Sequence, residues 1–132
     1  VAPESLEKVP FIKYQTDASV ANIIETWCAE HFEEPPSVAM DVNSMSTCRH
    51  FVRAGLGWSI LTYMGLGSCK DKDIYVSPLR NKDGECITRD TNMVYTKDAE
   101  NLVVVKTFIE YVRNYYKEHT VVDNSIFREY KA

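Results

Sequence analysis

Two short polar segments of this chain contain residue types that bind small anions. The first covers residues 14–19 (YQTDAS) and the second covers residues 43–47 (NSMST). Each stands between a predicted strand and a predicted helix, where the first backbone N–H groups of the helix lack intrahelical partners and the helix dipole favours negative charge. A carboxylate, sulfate or phosphate could bind at either junction. The same side chains also cap helices without binding any ligand, and Asp17 opposes direct contact with an anion.

No catalytic or metal-binding motif accompanies these segments. The glycines of residues 55–57 (GLG) follow a predicted helix and precede a predicted strand, which reverses their order in a dinucleotide-binding turn. Neither GxSxG nor a P-loop occurs. The cysteines form no CxxC pair and the histidines are scattered, so we expect reduced thiols and no structural zinc site. These residues are Cys28, Cys48, Cys69, Cys86, His31, His50 and His119.

The composition is that of an ordinary globular protein. Of the 132 residues, 45% are hydrophobic and 26% are charged, which argues against disorder and suits one domain or one lobe of a larger one. Fifteen Lys and Arg residues against nineteen Asp and Glu residues give a net charge of −4, so the chain is a poor nucleic-acid binder by itself. No apolar run approaches the ~18–20 residues that span a bilayer. The start, VAPESLEKVP, lacks an export signal and an initiator Met, which predicts a cytoplasmic piece of a longer protein.

Hydrophobic periodicity predicts strands that alternate with helices. The first helix has Thr16 or Asp17 as its expected N-cap, and the second has Asn43 or Ser44. Asp98 is the expected N-cap of a third helix. This alternation implies an α/β fold with a parallel sheet flanked by helices, in which ligands bind beyond the carboxyl ends of the strands. The predicted strands cover residues 10–14, 37–42, 58–62, 74–76 and 86–96.

The order of these segments, more than any single motif, carries a family resemblance. Residues 52–61 (VRAGLGWSIL) form a V-x-x-G-x-G-hydrophobic stretch between a helix and a strand, and residues 94–98 (VYTKD) precede a helix that carries Phe108 and Ile109. Taken with the earlier PFIKY and PPSVAMDV segments, this order resembles the effector-binding domain of LysR-type transcriptional regulators. The resemblance covers about residues 9–116.

The resemblance implies a fold like that of periplasmic binding proteins, with two Rossmann-like subdomains and the effector in the cleft between them. Residues 1–85 would form the second subdomain. Residues 86–118 would supply the last strand and helix of the first subdomain, and residues 119–132 would be a tail. The rest of the first subdomain and an N-terminal winged helix-turn-helix would lie outside this chain.

The resemblance also implies an effector site formed by three turns. The first turn is the polar loop around Thr16, after the first strand. The second turn is the N-terminus of the second helix, at residues 43–45. The third turn is the end of the third strand, at residues 62–63, and what directly follows it. Many family members have proline where this chain has Thr62, and a hydroxyl here could donate to an anion or only relax the turn. The implied effector-binding residues are Tyr14, Thr16, Asp17, Asn43, Ser44, Met45, Thr62 and Tyr63.

The implied function is that of a non-enzymatic, ligand-sensing regulatory domain without cofactor or metal. A small anionic metabolite would bind in the cleft and modulate DNA binding, which the absent N-terminal domain would perform. The third helix has an apolar face that must be buried, either by folding back onto the second subdomain or by exchange between two chains, so we expect a homo-oligomer. This face consists of Leu102, Val105, Phe108, Ile109, Val112 and Tyr115.

Two other functions stay open at this point. A solute-binding component of a transporter has the same bilobal fold, although the chain carries no visible export signal. A small-molecule enzyme of α/β type is disfavoured because no nucleophile, base or metal set can be assembled, and variants of Asp17, His31 and His50 would test it. Arg49 and Arg53, four residues apart on the second helix, are expected to be exposed.

Overall fold

The computed structural model describes residues 3–67 and 74–127, so Cys69 and most of the predicted loop after Gly65 lie outside the described residues. The chain divides into two compact units, one formed by the described residues up to Ile87 and from Ser125 onwards, the other by residues 88–124. The first unit contains the strands β1 (Phe11–Tyr14) and β2 (Val38–Val42), the helices α1 (Ala18–His31), α2 (Met45–Arg53) and α3 (Tyr63–Leu66), and a 3-10 segment at Pro3–Leu6. A 3-10 segment at Asn124–Ile126 spans the boundary between the units. The second unit contains a 3-10 segment at Lys97–Asn101 and the helix α4 (Val103–Glu118).

The strands β1 and β2 form a parallel pair, as predicted. Ile12 lies opposite Met40 and Tyr14 lies opposite Val42. Parallel strands need a crossover connection between them, and α1 supplies it. Ile12 is completely buried, which sets the inner face of the pair. The α/β class and the parallel sheet flanked by helices are therefore confirmed.

The first two helices begin at residues that the sequence predicted as caps. The Asp17 carboxylate accepts hydrogen bonds from the backbone N–H groups of Ser19 and Val20. The Ser44 hydroxyl accepts one from the backbone N–H of Thr47. Both side chains accept hydrogen bonds from backbone N–H groups that have no partner within the first turn of their helix. These caps fix where the two polar turns end.

The glycine-containing turn after α2 returns the chain to β1. Gly55 adopts a φ of 76°, the left-handed conformation that closes a helix at little cost for glycine. Gly57 lies against the backbone of Pro10, where a Cβ would overlap with the carbonyl oxygen. Trp58 then pairs with Phe11 in a parallel bridge. The absence of a side chain at position 57 is thus what allows the chain to reach the edge of β1.

The predicted third strand, residues 58–62, is wrong beyond Trp58. The N–H of Trp58 donates to the carbonyl of Pro10 at 3.0 Å, and its own carbonyl accepts from the N–H of Ile12 at 2.9 Å. The carbonyl of Ile12 then accepts a hydrogen bond from the Ser59 hydroxyl at 2.8 Å, where a continuing strand would supply a backbone N–H. The pairing with β1 therefore stops after one bridge.

The predicted strands at residues 74–76 and 86–96 are also wrong, because these segments, both within the described part of the chain, form no strand. A single antiparallel bridge joins Arg80 to Cys86 across a turn in which Gly84 has a φ of 83°. Residues 88–94 are exposed throughout, and most of them are polar. Backbone groups of such a segment bond to water instead of to a neighbouring strand.

An aromatic cluster forms the core of the first unit. Trp27 and Cys28 of α1 and Phe32, which directly follows the helix, are buried, and Trp58 packs against them. The rings of Trp27 and Phe32 meet edge to face at 5.6 Å, and those of Phe32 and Trp58 lie 5.8 Å apart. The indole N–H of Trp27 donates to the carbonyl of Arg80 at 2.7 Å. The cluster joins α1 to the Trp58 segment and to the turn near Arg80.

The helix of the second unit begins later than predicted. Asp98 lies inside the 3-10 segment, and Leu102 precedes α4, so the expected cap at Asp98 is wrong. Of the predicted apolar face, Ile109 is buried with 3% of its surface exposed, whereas Leu102 is 62% and Phe108 60% exposed. Val105 and Val112 are half-buried and Tyr115 is exposed, so the described residues bury only part of this face.

Candidate functional site

The predicted site turns leave the sheet at one edge. Tyr14 and Val42 are register partners at the ends of β1 and β2, and the backbone N–H of Gln15 donates to the carbonyl of Val42 at 2.8 Å. Because the two strands are parallel, their carboxyl ends lie at the same level. The polar turns at residues 15–17 and 43–45 are therefore neighbours.

The first turn ends in a helix cap that carries negative charge. The Oδ1 atom of Asp17 accepts from the N–H of Ser19 at 3.0 Å and from that of Val20 at 3.1 Å. This carboxylate already complements the positive end of the α1 dipole, so a second anion at the same place would be repelled. Tyr14 and Thr16 beside it are half-buried.

The second turn caps its helix with a neutral side chain. The Oγ atom of Ser44 accepts from the N–H of Thr47 at 3.4 Å, longer than the ~2.9–3.0 Å typical of such bonds. Asn43 is exposed, and Met45, the first residue of α2, is half-buried. The first turn of α2 contains no acidic residue. The start of α2 consequently keeps its positive potential, in contrast to the start of α1.

The third turn contacts the second through a hydroxyl and a thioether. The Oγ1 atom of Thr62 donates to Sδ of Met45 at 3.5 Å. Sulfur is a weak acceptor, so this hydroxyl can exchange its partner for a stronger one. Tyr63 follows as the half-buried first residue of α3. The contacts of Gln15 with Val42 and of Thr62 with Met45 thus bring the three predicted turns together, and effector binding by their eight residues stays a prediction.

A cavity of about 730 Å³ shares only two of these residues, Tyr14 and Thr16. None of the other six predicted residues lines it. Its wall comes mainly from α1, from the segment that follows it and from β1, and it includes the apolar side chains of Ile24, Phe32 and Val38. No local pattern in the sequence indicates this cavity, because its walls come from segments that only the folded chain brings together.

The side chain of Arg49 joins α2 to the third turn, a contact that was not predicted from the sequence. It was expected to be exposed, yet it is half-buried, and its Nη1 atom donates to the carbonyls of Gly65 at 3.3 Å and Leu66 at 3.1 Å. Arg49 stands four residues after Met45 and therefore on the same face of α2. That spacing is the one signal in the sequence that could have indicated it.

Two cysteines of the first unit are buried, and two histidines lie against backbone carbonyl groups. Burial raises the pKa of the Cys28 and Cys48 thiols, which keeps them neutral and weakly nucleophilic. The Nδ1 atoms of His31 and His50 lie 2.9 Å and 2.7 Å from the carbonyl oxygens four residues earlier in their own helices. Within residues 3–67 and 74–127, no group of three His, Cys, Asp or Glu side chains is placed to hold a metal ion. Over the same residues, no helix combines the length and the apolar character needed to cross a membrane.

Comparison with known proteins gives the family. The family model of the LysR substrate binding domain matches residues 1–117. The chain belongs to this LysR family. It is 36% identical over 110 residues to the HTH-type transcriptional regulator YraN of Bacillus subtilis, an alignment that covers 83% of this chain and 37% of YraN. It is 28% identical over 105 residues to the regulator YkuM of the same organism, covering 80% of this chain and 35% of YkuM.

These matches confirm the LysR resemblance and the association with transcription regulation. A LysR substrate-binding domain implies a periplasmic-binding-protein-like fold, and the α/β structure with its small parallel sheet agrees with that. The chain spans only about a third of the length of the two regulators, 37% and 35%. The assignment of residues 1–85, 86–118 and 119–132 to different parts of a bilobal receptor stays a prediction.

Proposed function

We propose that this LysR domain senses a small anionic metabolite on behalf of a transcriptional regulator. The observation that carries the proposal is the meeting of three polar turns at the carboxyl end of the β1–β2 pair. The backbone N–H of Gln15 donates a hydrogen bond to the carbonyl of Val42, and the hydroxyl of Thr62 donates one to the sulfur of Met45. Ligands of open α/β sheets bind in this position.

The charged group of the metabolite would bind at the start of α2 and not at the start of α1. The Asp17 carboxylate occupies the first amides of α1, whereas Ser44 caps α2 weakly and without charge. The first N–H groups of α2 would then donate to the anion, together with the Thr62 hydroxyl. The proposed contacts of the whole effector are Tyr14, Thr16, Asp17, Asn43, Ser44, Met45, Thr62 and Tyr63.

The remaining parts of the regulator would lie outside this chain. Both relatives are named as HTH-type regulators, which supports an N-terminal DNA-binding domain and action in the cytoplasm. The exposed Leu102 and Phe108 of α4 suit a helix that packs on a first subdomain supplied elsewhere. The metabolite would change the affinity for DNA only if it binds one arrangement of the subdomains more tightly than another. The size of the change is limited by that difference in binding.

Titration of the intact regulator with a panel of metabolites, while operator binding is followed, tests this proposal. At least one small anion should change operator affinity. Asn43→Ala and Thr62→Ala should abolish the response, and Asn22→Ala, which removes an exposed amide from the middle of α1, should leave it intact. If no metabolite alters operator binding, or if both site variants respond like the native protein, the assignment of the cleft is wrong.

We also propose that the protein is a homo-oligomer, in which the first subdomain that covers the apolar side chains of the last helix belongs to a second chain. Exchange of α4 between two chains is a low-cost way to form a dimer. Sedimentation across a dilution series should give a mass of at least two chains that falls on dilution. A monomer at every concentration would contradict this.

The two competing functions have less support. A transporter component would not be expected to match a regulator family over residues 1–117, and a helix-turn-helix encoded upstream in the intact gene would decide between the two. An α/β enzyme lacks a catalytic set among the described residues, and activity screening with variants of Asp17, His31 and His50 would test it.

A further inference from the structure

The helix α2 holds the third turn through two side chains on one face. Met45 and Arg49 are four residues apart, which stacks them one above the other on the helix. The Nη1 atom of Arg49 reaches the carbonyl oxygens of Gly65 and Leu66 at 3.3 Å and 3.1 Å. The Sδ atom of Met45 receives the hydroxyl of Thr62 at 3.5 Å. The third turn is therefore attached to α2 through Thr62 at its start and through Gly65 and Leu66 at its end.

The turn is too short to keep this shape by itself. Its helix, α3, has four residues, so the last carbonyl groups lack partners within the helix, and an isolated single turn is unstable. Arg49 supplies a charged donor to two of these carbonyls, and such bonds are stronger than neutral ones. Gly65 is buried beneath Met45, and a Cβ at this position would overlap with the thioether. Contact with α2 thus determines where the turn lies.

We infer that Arg49 is a positioning residue of the effector site, which fixes the third turn relative to the start of α2. The inference rests on the proposed function, because the turns are the same, and it adds how their spacing is set. For an effector that bridges Ser44 and Thr62, Arg49 keeps the first N–H groups of α2 and the Thr62 hydroxyl at a constant distance from each other. Arg49 acts through the backbone of Gly65 and Leu66 and needs no contact with the effector.

Amide hydrogen exchange in the intact regulator, without any ligand, tests this role. The N–H of Gly65 donates to the carbonyl of Thr62 at 2.8 Å, so its exchange rate reports opening of the turn. Arg49→Gln should raise that rate about tenfold to a hundredfold, the range for loss of a charged hydrogen bond, while the Ile12 amide in β1 keeps its rate. Arg49→Lys should restore part of the protection, because an ammonium group can reach one carbonyl. His50→Gln, an exposed neighbour on α2, is the matched control and should keep the native rate.

Two exchange results would overturn the inference. One is an unchanged rate at Gly65 in Arg49→Gln. The other is an equal acceleration at Ile12, which would mean that Arg49 only stabilises the unit as a whole.

A second measurement uses succinate and sulfate as probes and follows the amide resonances of Thr47 and Gly65. Positioning predicts that a bound probe shifts both resonances in the native protein but only that of Thr47 in Arg49→Gln. Equal shifts of both in the variant contradict it. If neither probe shifts any resonance of the native protein, neither sulfate nor succinate binds at the turns, and the exchange rates alone decide the role of Arg49.

Discussion

Replacing Ser44 with aspartate separates helix capping from the proposed binding of an anion. The native hydroxyl caps α2 through a long bond of 3.4 Å to the N–H of Thr47. Aspartate is as good a cap as serine, and its charge complements the helix dipole. Ser44→Asp should therefore leave the free energy of unfolding unchanged or raise it by about 0.3–1 kcal/mol.

The same substitution should severely weaken binding of the anion. An anion held by the first amides of α2 would lie about 5 Å from the introduced carboxylate, and two unit charges at that distance repel by about 3 kcal/mol at an effective dielectric constant near 20. That energy corresponds to about a 150-fold loss of affinity. Because Ser44 is only half-buried, added salt should reduce the loss.

Calorimetric titration of the intact regulator with sulfate and succinate measures this effect, with urea unfolding in parallel. Ser44→Asn is the matched control, since asparagine caps equally well without charge. It should keep probe affinity within a few-fold of the native value. If Ser44→Asp and Ser44→Asn bind the probes equally, the anion does not bind at the start of α2 and the electrostatic reasoning is refuted.

Three further predictions concern the stability of the first unit, which contains both tryptophans and so reports its own unfolding by fluorescence. Ile12→Ala should lower the free energy of unfolding by about 2–5 kcal/mol and Ile12→Val by about 0.5–1.5 kcal/mol, because the side chain is completely buried; equal losses would contradict this. Gly57→Ala should cost about 1–3 kcal/mol, since its Cβ would meet the carbonyl of Pro10, and an unchanged urea midpoint would refute the close contact. Burial raises the pKa of Cys28 and Cys48 above the ordinary 9.0, so their contribution to stability is complete below that pH and is lost as the pH rises through the folded-state pKa. Unfolding free energies measured on both sides of pH 9.0 should fall toward the alkaline side, and replacing both thiols with alanine should flatten that fall.

Much of the first unit could be predicted because its signals are local. The apolar run in β1 and the alternation in β2 identify strands from adjacent residues. Asp17 and Ser44 act on amides two or three residues away, so their capping roles depend on no distant contact. Gly55 closes α2 for an equally local reason, its positive φ.

The errors fall where a segment depends on a partner. The strand expected after Trp58 stops because the Ser59 hydroxyl takes the carbonyl of Ile12, which periodicity cannot reveal. Residues 86–96 have strand-forming residue types in places, but beyond the bridge at Cys86 no neighbouring strand among the described residues supplies backbone hydrogen bonds. The face of α4 has helical spacing, yet Phe108 stays exposed among the described residues.

The sequence by itself determined which residues could bind an anion, because residue type and helix start are properties of neighbouring positions. Only the tertiary structure decided that those residues meet. Parallel register puts Gln15 beside Val42, and side-chain reach joins Met45 to Thr62 and Arg49 to Leu66. Such contacts link positions 17 or more residues apart, whose distance in space depends on the packing of the whole unit and not on the local chain.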